Sequence, residues 1–338
     1  MSEAYKIERT GDWSSQDILF SIERSPESEQ LYVGSSDFQV YSFDASQEKP
    51  ERQVFTGEGH NSYVTGMTRI DHTLVTGSYD GSLIWWDHLE GTPLRKIPAH
   101  DRWIRCIVAT PDQRRIVSVA DDMQCKVWDA QTGDLIKSFT DHAALTPHHY
   151  PSMLYAVAVS DDGKLIATGD RVGHVAIWDS ETFEKLGEVE TPGMYTWDPN
   201  ARRHSIGGIR SLGFSPDGTR LAVGGIGKIG NIDHLGGPSR LEVFEWNYEK
   251  EPIVIEDEEK KGLIEQIHWR ADGNTLFGFG GDHKGFVNLY DLAETKVIAQ
   301  AESSGHIHAA VVDENGSKFY TAGHNRINRF ELIQEDKS

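Results

Sequence analysis

Cysteine is scarce in this sequence, and long apolar runs are absent. Cys106 and Cys125 are the two cysteines among 338 residues, too few for a disulfide framework, and both lie in strand-like apolar segments. No stretch of about 18 apolar residues could form a membrane span, and residues 1–13 contain no apolar core of a signal peptide. We therefore expect a cytoplasmic protein with no membrane partner.

Basic residues are also fewer than acidic ones. The 33 lysines and arginines are outnumbered by 53 aspartates and glutamates, so the net charge is −20. This charge would on average repel a nucleic-acid backbone, which argues against a nucleic-acid partner. The 3.6-residue periodicity of amphipathic helices is missing as well, and its absence argues against a helical fold.

Glycine and tryptophan are abundant, and they recur in a repeated pattern. Segments 73–87, 115–129 and 165–179 align: each has an apolar run, a turn of small residues, a second run and a final Trp-Asp. The same frame extends to 31–44, 221–246, 275–291 and 319–332. The aromatic landmarks of the seven copies are Phe43, Trp86, Trp128, Trp178, Trp246, Tyr290 and Phe330. Most intervals between them match the ~40–45 residues of a four-stranded propeller blade.

The copies predict four strands each, except for the last. Turn sequences such as SPDG (215–218) separate the first strand from the second, and a fourth strand follows the aromatic landmark, as at 134–139. The sequence therefore predicts an all-β, seven-bladed β-propeller with four antiparallel strands per blade, formed by residues 1–338 as a single domain. The last copy lacks a fourth strand, so we expect an N-terminal strand over residues 4–9 to complete the last blade and close the ring.

In these features the chain resembles the WD-repeat (WD40) family of propellers, over nearly all of its length. In that family a His before the first strand, a Ser or Thr on the second, an Asp in the next turn and a Trp on the third form a buried hydrogen-bond relay. The resemblance implies two structural relays here, formed by His60, Thr76, Asp80 and Trp86 and by His100, Ser118, Asp122 and Trp128. In the fourth copy Val172 replaces the turn Asp, so apolar packing is expected instead.

Antiparallel blades place alternate turns on the same face. The turns between second and third strands and the connections between blades share one face, the loop face, which collects the long insertions 141–153, 191–208 and 226–240. The resemblance implies partner contacts on this face, often at the residue before a first strand. The candidate partner-binding residues are Tyr63, Arg102, Trp103, Met153, Tyr195, Trp197, Arg202, Arg203, Lys228, His283, Lys284 and Arg326.

These residues favour a protein-interaction scaffold, which binds a partner protein or peptide on the face built from the loops of the fourth and fifth blades. Tyr, Trp and Arg are enriched at interface hot spots, and cations collected on an acidic chain would favour an acidic partner. The alternative is a small-molecule- or metal-binding propeller, with or without catalysis, whose pocket lies over the central channel.

Motifs that would indicate chemistry are weak. The segment GIGKIG (225–230) fits G-x-G-x-x-G, but no helix follows it to bind a pyrophosphate. No nucleophile–base pair stands out. The residues that could converge as metal ligands lack the spacing of known zinc sites; they are His142, His148, His149, His204, His234 and Asp233. We therefore predict no enzyme activity, no cofactor and no metal.

Overall fold

Each repeat folds into antiparallel strands whose second and third members are buried. The computed structural model describes residues 4–198, 204–230 and 235–335. The strands of the first two repeats are β1 (Ala4–Arg24), β2 (Gln30–Ser35), β3 (Val40–Asp44), β4 (Gln53–Val54), β5 (Val64–Ile70), β6 (Thr73–Ser78), β7 (Ser82–Asp87) and β8 (Thr92–Pro98). Those of the next two are β9 (Ile104–Ala109), β10 (Arg115–Ala120), β11 (Cys125–Asp129), β12 (Leu135–Phe139), β13 (Leu154–Val159), β14 (Leu165–Asp170), β15 (His174–Asp179) and β16 (Lys185–Glu190).

An insertion follows the fourth repeat and forms a small hairpin of its own. It consists of a 3-10 turn (Pro192–Met194) and the strands β17 (Tyr195–Asp198) and β18 (His204–Gly207). The remaining strands are β19 (Ser211–Phe214), β20 (Leu221–Ile226), β21 (Pro238–Phe244), β22 (Ile253–Lys261), β23 (Leu263–Trp269), β24 (Thr275–Gly281), β25 (Gly285–Asp291), β26 (Lys296–Ser303), β27 (Ile307–Val312) and β28 (Lys318–Glu335).

The described residues form six propeller sheets. Blade one is a composite sheet with the strand order β27-β28-β1-β2-β3-β4, and blades two to six are the four-stranded antiparallel sheets β5–β8, β9–β12, β13–β16, β19–β22 and β23–β26. The prediction of an all-β propeller with four antiparallel strands per blade is confirmed. The predicted count of seven blades is wrong, because the structure has six.

The count differs because the first and last repeats share blade one. β1 pairs with β28 from Ala4 to Ile18 and then with β2 from Leu19 to Arg24, with a shift in register between Ser14 and Ile18. β28 in turn pairs with β27 through its first residues and with β1 through the rest. Two continuous strands therefore join what the sequence divides into two blades. The same pairing places the N-terminal strand beside the C-terminal one, and the predicted strand 4–9 is the first part of β1.

The strand register also corrects one aromatic landmark. Leu74 pairs with Trp86, and in the fifth repeat the equivalent residue Leu221 pairs with Phe244. Trp246 lies beyond the end of β21, where its indole N–H donates to the carbonyl oxygen of Gly218 at 2.9 Å. The buried aromatic position of this blade therefore belongs to Phe244, and the assignment of Trp246 was wrong.

The first strands of the repeats line a central channel of about 650 Å³. The second and third strands are almost fully buried between neighbouring blades, as in β6 and β7, whereas the outer strand β12 is exposed along most of its length. Side chains on the first strands alternate between the blade core and the channel. Within the described residues, no helix is long and apolar enough to cross a membrane.

Candidate interaction face

A buried network in blade two ties the turn after β6 to the connection that enters β5. His60 Nε2 lies 2.7 Å from Thr76 Oγ1, and the indole N–H of Trp86 donates to the same hydroxyl at 2.9 Å. The other imidazole nitrogen, Nδ1, lies 3.0 Å from Ser82 Oγ and 3.4 Å from Asp80 Oδ2. Burial lowers the pKa of His60, against the influence of Asp80, so the imidazole stays neutral at neutral pH.

Blade three contains the same arrangement with closer ionic contact. His100 Nδ1 lies 2.9 Å from Asp122 Oδ2, and His100 Nε2 lies 2.7 Å from Ser118 Oγ, which also accepts the indole N–H of Trp128 at 2.8 Å. Burial would raise the pKa of Asp122, but the hydrogen bonds from His100 and from the backbone N–H groups of Gln124 and Asp101 together lower it. These contacts fix the positions of the loops that carry the exposed aromatic residues.

Blade four has a relay that the sequence analysis missed. His142 Nε2 lies 2.8 Å from Thr168 Oγ1, which accepts the indole N–H of Trp178 at 3.1 Å, and His142 Nδ1 lies 3.1 Å from Asp170 Oδ2. The expectation of apolar packing at Val172 is therefore wrong. The carboxylate belongs to Asp170, the last residue of β14, which lies two positions before Val172. The sequence signal for this relay was therefore an acidic residue two positions earlier than in blades two and three.

Four aromatic rings form a continuous row on the loop face, which we call the aromatic arc: Phe38, Tyr63, Tyr79 and Trp103. Ring centroids are 5.9 Å apart for Phe38 and Tyr63, 5.7 Å for Tyr63 and Tyr79, and 4.4 Å for Tyr79 and Trp103, whose planes differ by 6°. Phe38, Tyr63 and Trp103 are 39%, 40% and 49% exposed. Tyr63 and Trp103 directly precede β5 and β9, so the blade edges present them to solvent.

Arg105 supports the arc from below, and the sequence analysis did not single it out. Its guanidinium lies 4.8 Å from the centroid of Tyr79 and 5.1 Å from that of Trp103. Two charge-assisted hydrogen bonds of 2.7 and 2.8 Å hold it against Asp121. Arg105 is the second residue of β9, and strand alternation from Trp103 would have placed it at the mouth of the channel.

Three of the candidate residues line one groove beside the arc. Arg102, Trp103 and Met153 border it together with Pro151 and Ala144. The sulfur of Met153 lies 3.6 Å from Arg105 Nη2 and accepts a hydrogen bond from the Tyr155 hydroxyl at 3.1 Å. Arg102 is exposed at the rim. The structure therefore brings together an exposed ring, a flexible apolar side chain and a cation.

Two further candidates, Tyr195 and Trp197, pack against a histidine of the neighbouring insertion. His148 stacks on Trp197 with ring centroids 4.2 Å apart, and its Nδ1 lies 3.0 Å from the Tyr195 hydroxyl. Both aromatic residues are half-buried. The two insertions thus form one packed unit, which lies apart from the aromatic arc in the contacts described.

The remaining candidates are cations with different surroundings. Lys228, His283 and Lys284 are exposed, and Lys284 Nζ lies 3.8 Å from Glu302 Oε2. Arg326 Nη1 donates to Asp12 Oδ1 at 2.6 Å. Arg202 and Arg203 lie outside the described residues. The expected cationic patch is therefore partly neutralised by acidic neighbours.

Two of the histidines considered as metal ligands have other roles, and a third, His149, is exposed. His142 is part of the blade-four relay, and His148 stacks on Trp197. Asp233, His234 and the side chain of His204 lie outside what the structure describes. In the described part of the GIGKIG segment, β20 is followed by a loop and not by a helix. A phosphate would therefore meet no helix N-terminus there.

A family model supports the repeats found in the sequence. The WD domain, G-beta repeat, matches residues 51–87, 91–129 and 133–179. The chain therefore carries WD repeats in three places. The matched model describes a repeat and not a catalytic domain, which agrees with the prediction that this chain is not an enzyme.

Curated relatives resemble this chain at low identity over somewhat more than half of its length. The chain is 27% identical over 210 residues to nuclear distribution protein PAC1 of Arthroderma benhamiae, covering 55% of this chain and 42% of the relative. It is 25% identical over 178 residues to guanine nucleotide-binding protein subunit beta of Oryza sativa subsp. indica, covering 51% and 44%. It is 25% identical over 203 residues to telomerase protein component 1 of Mus musculus, covering 60% and 7%. The chain thus spans less than half the length of these relatives.

Proposed function

We propose that this WD-repeat propeller is a scaffold that binds a partner protein through the aromatic arc and the adjoining groove on its loop face. The proposal rests above all on the exposure and order of Trp103. Its side chain is about half exposed, yet the ring stacks on that of Tyr79 with centroids 4.4 Å apart. A large apolar ring held in place and left open to solvent has the properties of an interface hot spot.

The support beneath Trp103 strengthens the argument. Arg105 contacts both rings and is itself bonded to Asp121. An aromatic side chain that is ordered before binding loses little conformational entropy when a partner covers it. Met153, which borders the same groove, can adapt its shape to different apolar side chains. The site therefore combines rigid anchors with one adaptable wall.

The proposed partner carries an acidic residue beside its apolar contact. Arg102 is exposed at the groove rim next to Trp103, so a carboxylate there would find a cation. Its neighbour Asp101 is also exposed, and its negative charge would repel a carboxylate. The preference for an acidic residue would therefore be confined to the immediate contact of Arg102.

The names of the relatives indicate both kinds of partner, protein and nucleic acid. One is by its name a subunit of a guanine nucleotide-binding protein, and it therefore assembles with other chains. Another, U3 small nucleolar RNA-interacting protein 2 of Mus musculus, is 33% identical over 98 residues and is named for an RNA. The net charge of −20 favours the protein partner for this chain.

Comparative affinity capture tests the proposal. The wild type, Trp103→Ala and Tyr248→Ala would be immobilised at equal density, and the retained proteins quantified by mass spectrometry. Tyr248 is 68% exposed and follows β21 in a turn on the opposite face, so it is the matched aromatic control. We expect proteins that Tyr248→Ala retains and Trp103→Ala loses. Identical retention by the two variants would reject the arc as the binding surface.

A further inference from the structure

A cluster of histidines lies at the channel mouth, where the Phe20 ring separates it from Tyr63 of the aromatic arc. The first strands place equivalent residues around this mouth, which are Phe20, Thr65, Arg105, Tyr155, Arg210, Glu265 and His308. Glu265 and His308 are neighbours in this ring, on β23 and β27. His306 directly precedes β27 and therefore occupies the position that Tyr63 and Trp103 hold in their blades.

The three side chains converge closely. His306 Nε2 lies 3.1 Å from Glu265 Oε1. Glu265, His306 and His308 each offer one ligand atom, and these three atoms lie within 4.8 Å of one another. A fourth imidazole, that of His324, has its ring centroid 5.5 Å from that of His306 and 5.0 Å from that of His308. His324 lies in β28 on the same side of the blade. Its backbone N–H donates to the backbone carbonyl oxygen of His306 at 2.8 Å.

One nitrogen of the cluster lacks a partner. His308 Nε2 is inaccessible to solvent, and no hydrogen-bond partner lies near it among the described residues. A buried polar atom without a partner is costly, and such an atom in a native structure indicates a missing water or ion.

We propose that Glu265, His306 and His308 bind a divalent transition-metal ion, with Zn²⁺ as the ion that suits these ligands best. Two imidazoles and one carboxylate are a typical three-ligand set for zinc, and they leave a fourth position for water, a partner's side chain or His324. The metal would bond the unpartnered His308 nitrogen. It would also join β23 of blade six to β27 of blade one, beside the pairing of the N-terminal and C-terminal strands.

The surroundings of the cluster are compatible with a bound cation. The Phe20 ring lies 4.9 Å from that of His308 and covers one side of the site. Arg210 is the nearest cation of the ring, but its guanidinium lies over Tyr155, 3.9 Å from the ring centroid.

A second group of possible ligands provides the control. Asp141, His174 and Glu188 also bring ligand atoms within 4.8 Å of one another. Lys185 forms ion pairs with both carboxylates, and His174 Nδ1 lies 2.6 Å from Glu190 Oε1. The Lys185 ammonium thus occupies the space between the two carboxylates and compensates their charge, although His174 Nε2, like His308 Nε2, has no hydrogen-bond partner among the described residues. His174→Ala therefore removes a histidine from a comparable cluster that should not bind metal.

The test is metal binding by protein that carries no polyhistidine tag. The wild type, His308→Ala, Glu265→Gln and His174→Ala would be stripped with a chelator, and Zn²⁺ binding measured by calorimetry with metal content by mass spectrometry. Co²⁺ would serve as a spectroscopic substitute, because its visible absorption reports four-coordinate nitrogen and oxygen ligation. We expect one Zn²⁺ per chain in the wild type and in His174→Ala.

The ligand variants separate a metal site from a simple hydrogen-bonded cluster. His308→Ala and Glu265→Gln should each bind Zn²⁺ more than roughly 100-fold more weakly, since even loss of a supporting outer contact costs about 10–100-fold. Glu265→Gln keeps the shape of the side chain, and circular dichroism would verify that both variants fold. No Zn²⁺ bound by the wild type, or equal affinity in the wild type and His308→Ala, would overturn the proposal.

Discussion

His142 Nδ1 lies 3.1 Å from Asp170 Oδ2, and the two side chains are 0% and 1% exposed. The other carboxylate oxygen of Asp170 accepts the backbone N–H groups of Val172 and Gly173 at 2.9 and 3.1 Å. In blade three the corresponding carboxylate belongs to the turn residue Asp122, which also bonds a following N–H. One acidic residue thus orients the histidine and shapes the turn in both blades, from two different positions in the chain.

The first prediction compares two neighbouring substitutions in blade four. Asp170→Ala leaves the buried His142 and several backbone donors without an acceptor, so we expect a loss of at least about 1–3 kcal/mol in the free energy of unfolding. Val172→Ala removes only two methyl groups from a half-buried side chain and should cost less than about 1.5 kcal/mol. Urea titrations of both variants measure the difference. A milder effect of Asp170→Ala would contradict the relay.

Much of the architecture could be predicted from the sequence because the repeats carry their own landmarks. The pairing of Leu74 with Trp86 recurs as Ile116 with Trp128, and these segments align without gaps. The composite blade could not be predicted in this way. The middle of β1, GDWSSQD at 11–17, has the composition of a turn, yet its first four residues stay extended because they pair with Arg326–Arg329 of β28. Tertiary pairing overrides local propensity at this point.

The candidate site could be predicted only in part. Tyr63 and Trp103 were accessible to sequence reasoning because each directly precedes the first strand of its blade. The cluster of His306 with Glu265 was not accessible, since these two residues are 41 positions apart and meet only across two blades. Contacts of this kind depend on the closed ring and not on any spacing within a repeat.

The second prediction concerns the strand pairing in blade one. Deleting residues 1–10 removes the segment of β1 that pairs with Phe330–Glu335 and leaves an unpaired edge on β28. We expect a loss of several kcal/mol, because backbone hydrogen bonds and the buried side chain of Ile7 disappear together. Ile7→Ala is the control for the side chain alone and should cost about 2–5 kcal/mol. An unchanged melting temperature after the deletion would mean that this strand does not close the ring.

The third prediction is a pH dependence of stability. Burial lowers the pKa of His268 on β23 from 6.5 to about 4, so the unfolded chain binds a proton at a higher pH than the folded chain. Between these pH values the unfolded state holds more protons, and the free energy of unfolding therefore falls as the pH is lowered from about 7 to 4. His268→Gln removes this titrating group and should reduce the slope of the free energy of unfolding against pH. Both proteins would be measured in buffer that contains a chelator. An identical slope in the two proteins would contradict a buried neutral His268.

The last prediction concerns the kinetics of partner binding and rests on the proposed interaction face. For the partner captured by the wild type, Trp103→Ala should mainly raise the dissociation rate and cost about 2 kcal/mol or more, as expected for a buried aromatic anchor.

Arg102→Glu should instead slow association, and the slowing should fade as salt screens the charge. Arg326→Glu changes the net charge by the same amount, but Arg326 is already paired with Asp12 and does not border the groove, so it should slow association less. Surface plasmon resonance at several salt concentrations separates the two rates. Equal slowing by both charge variants would show that net charge alone steers the partner. Association that does not change with salt would contradict an acidic partner, because attraction between exposed charges weakens at high ionic strength.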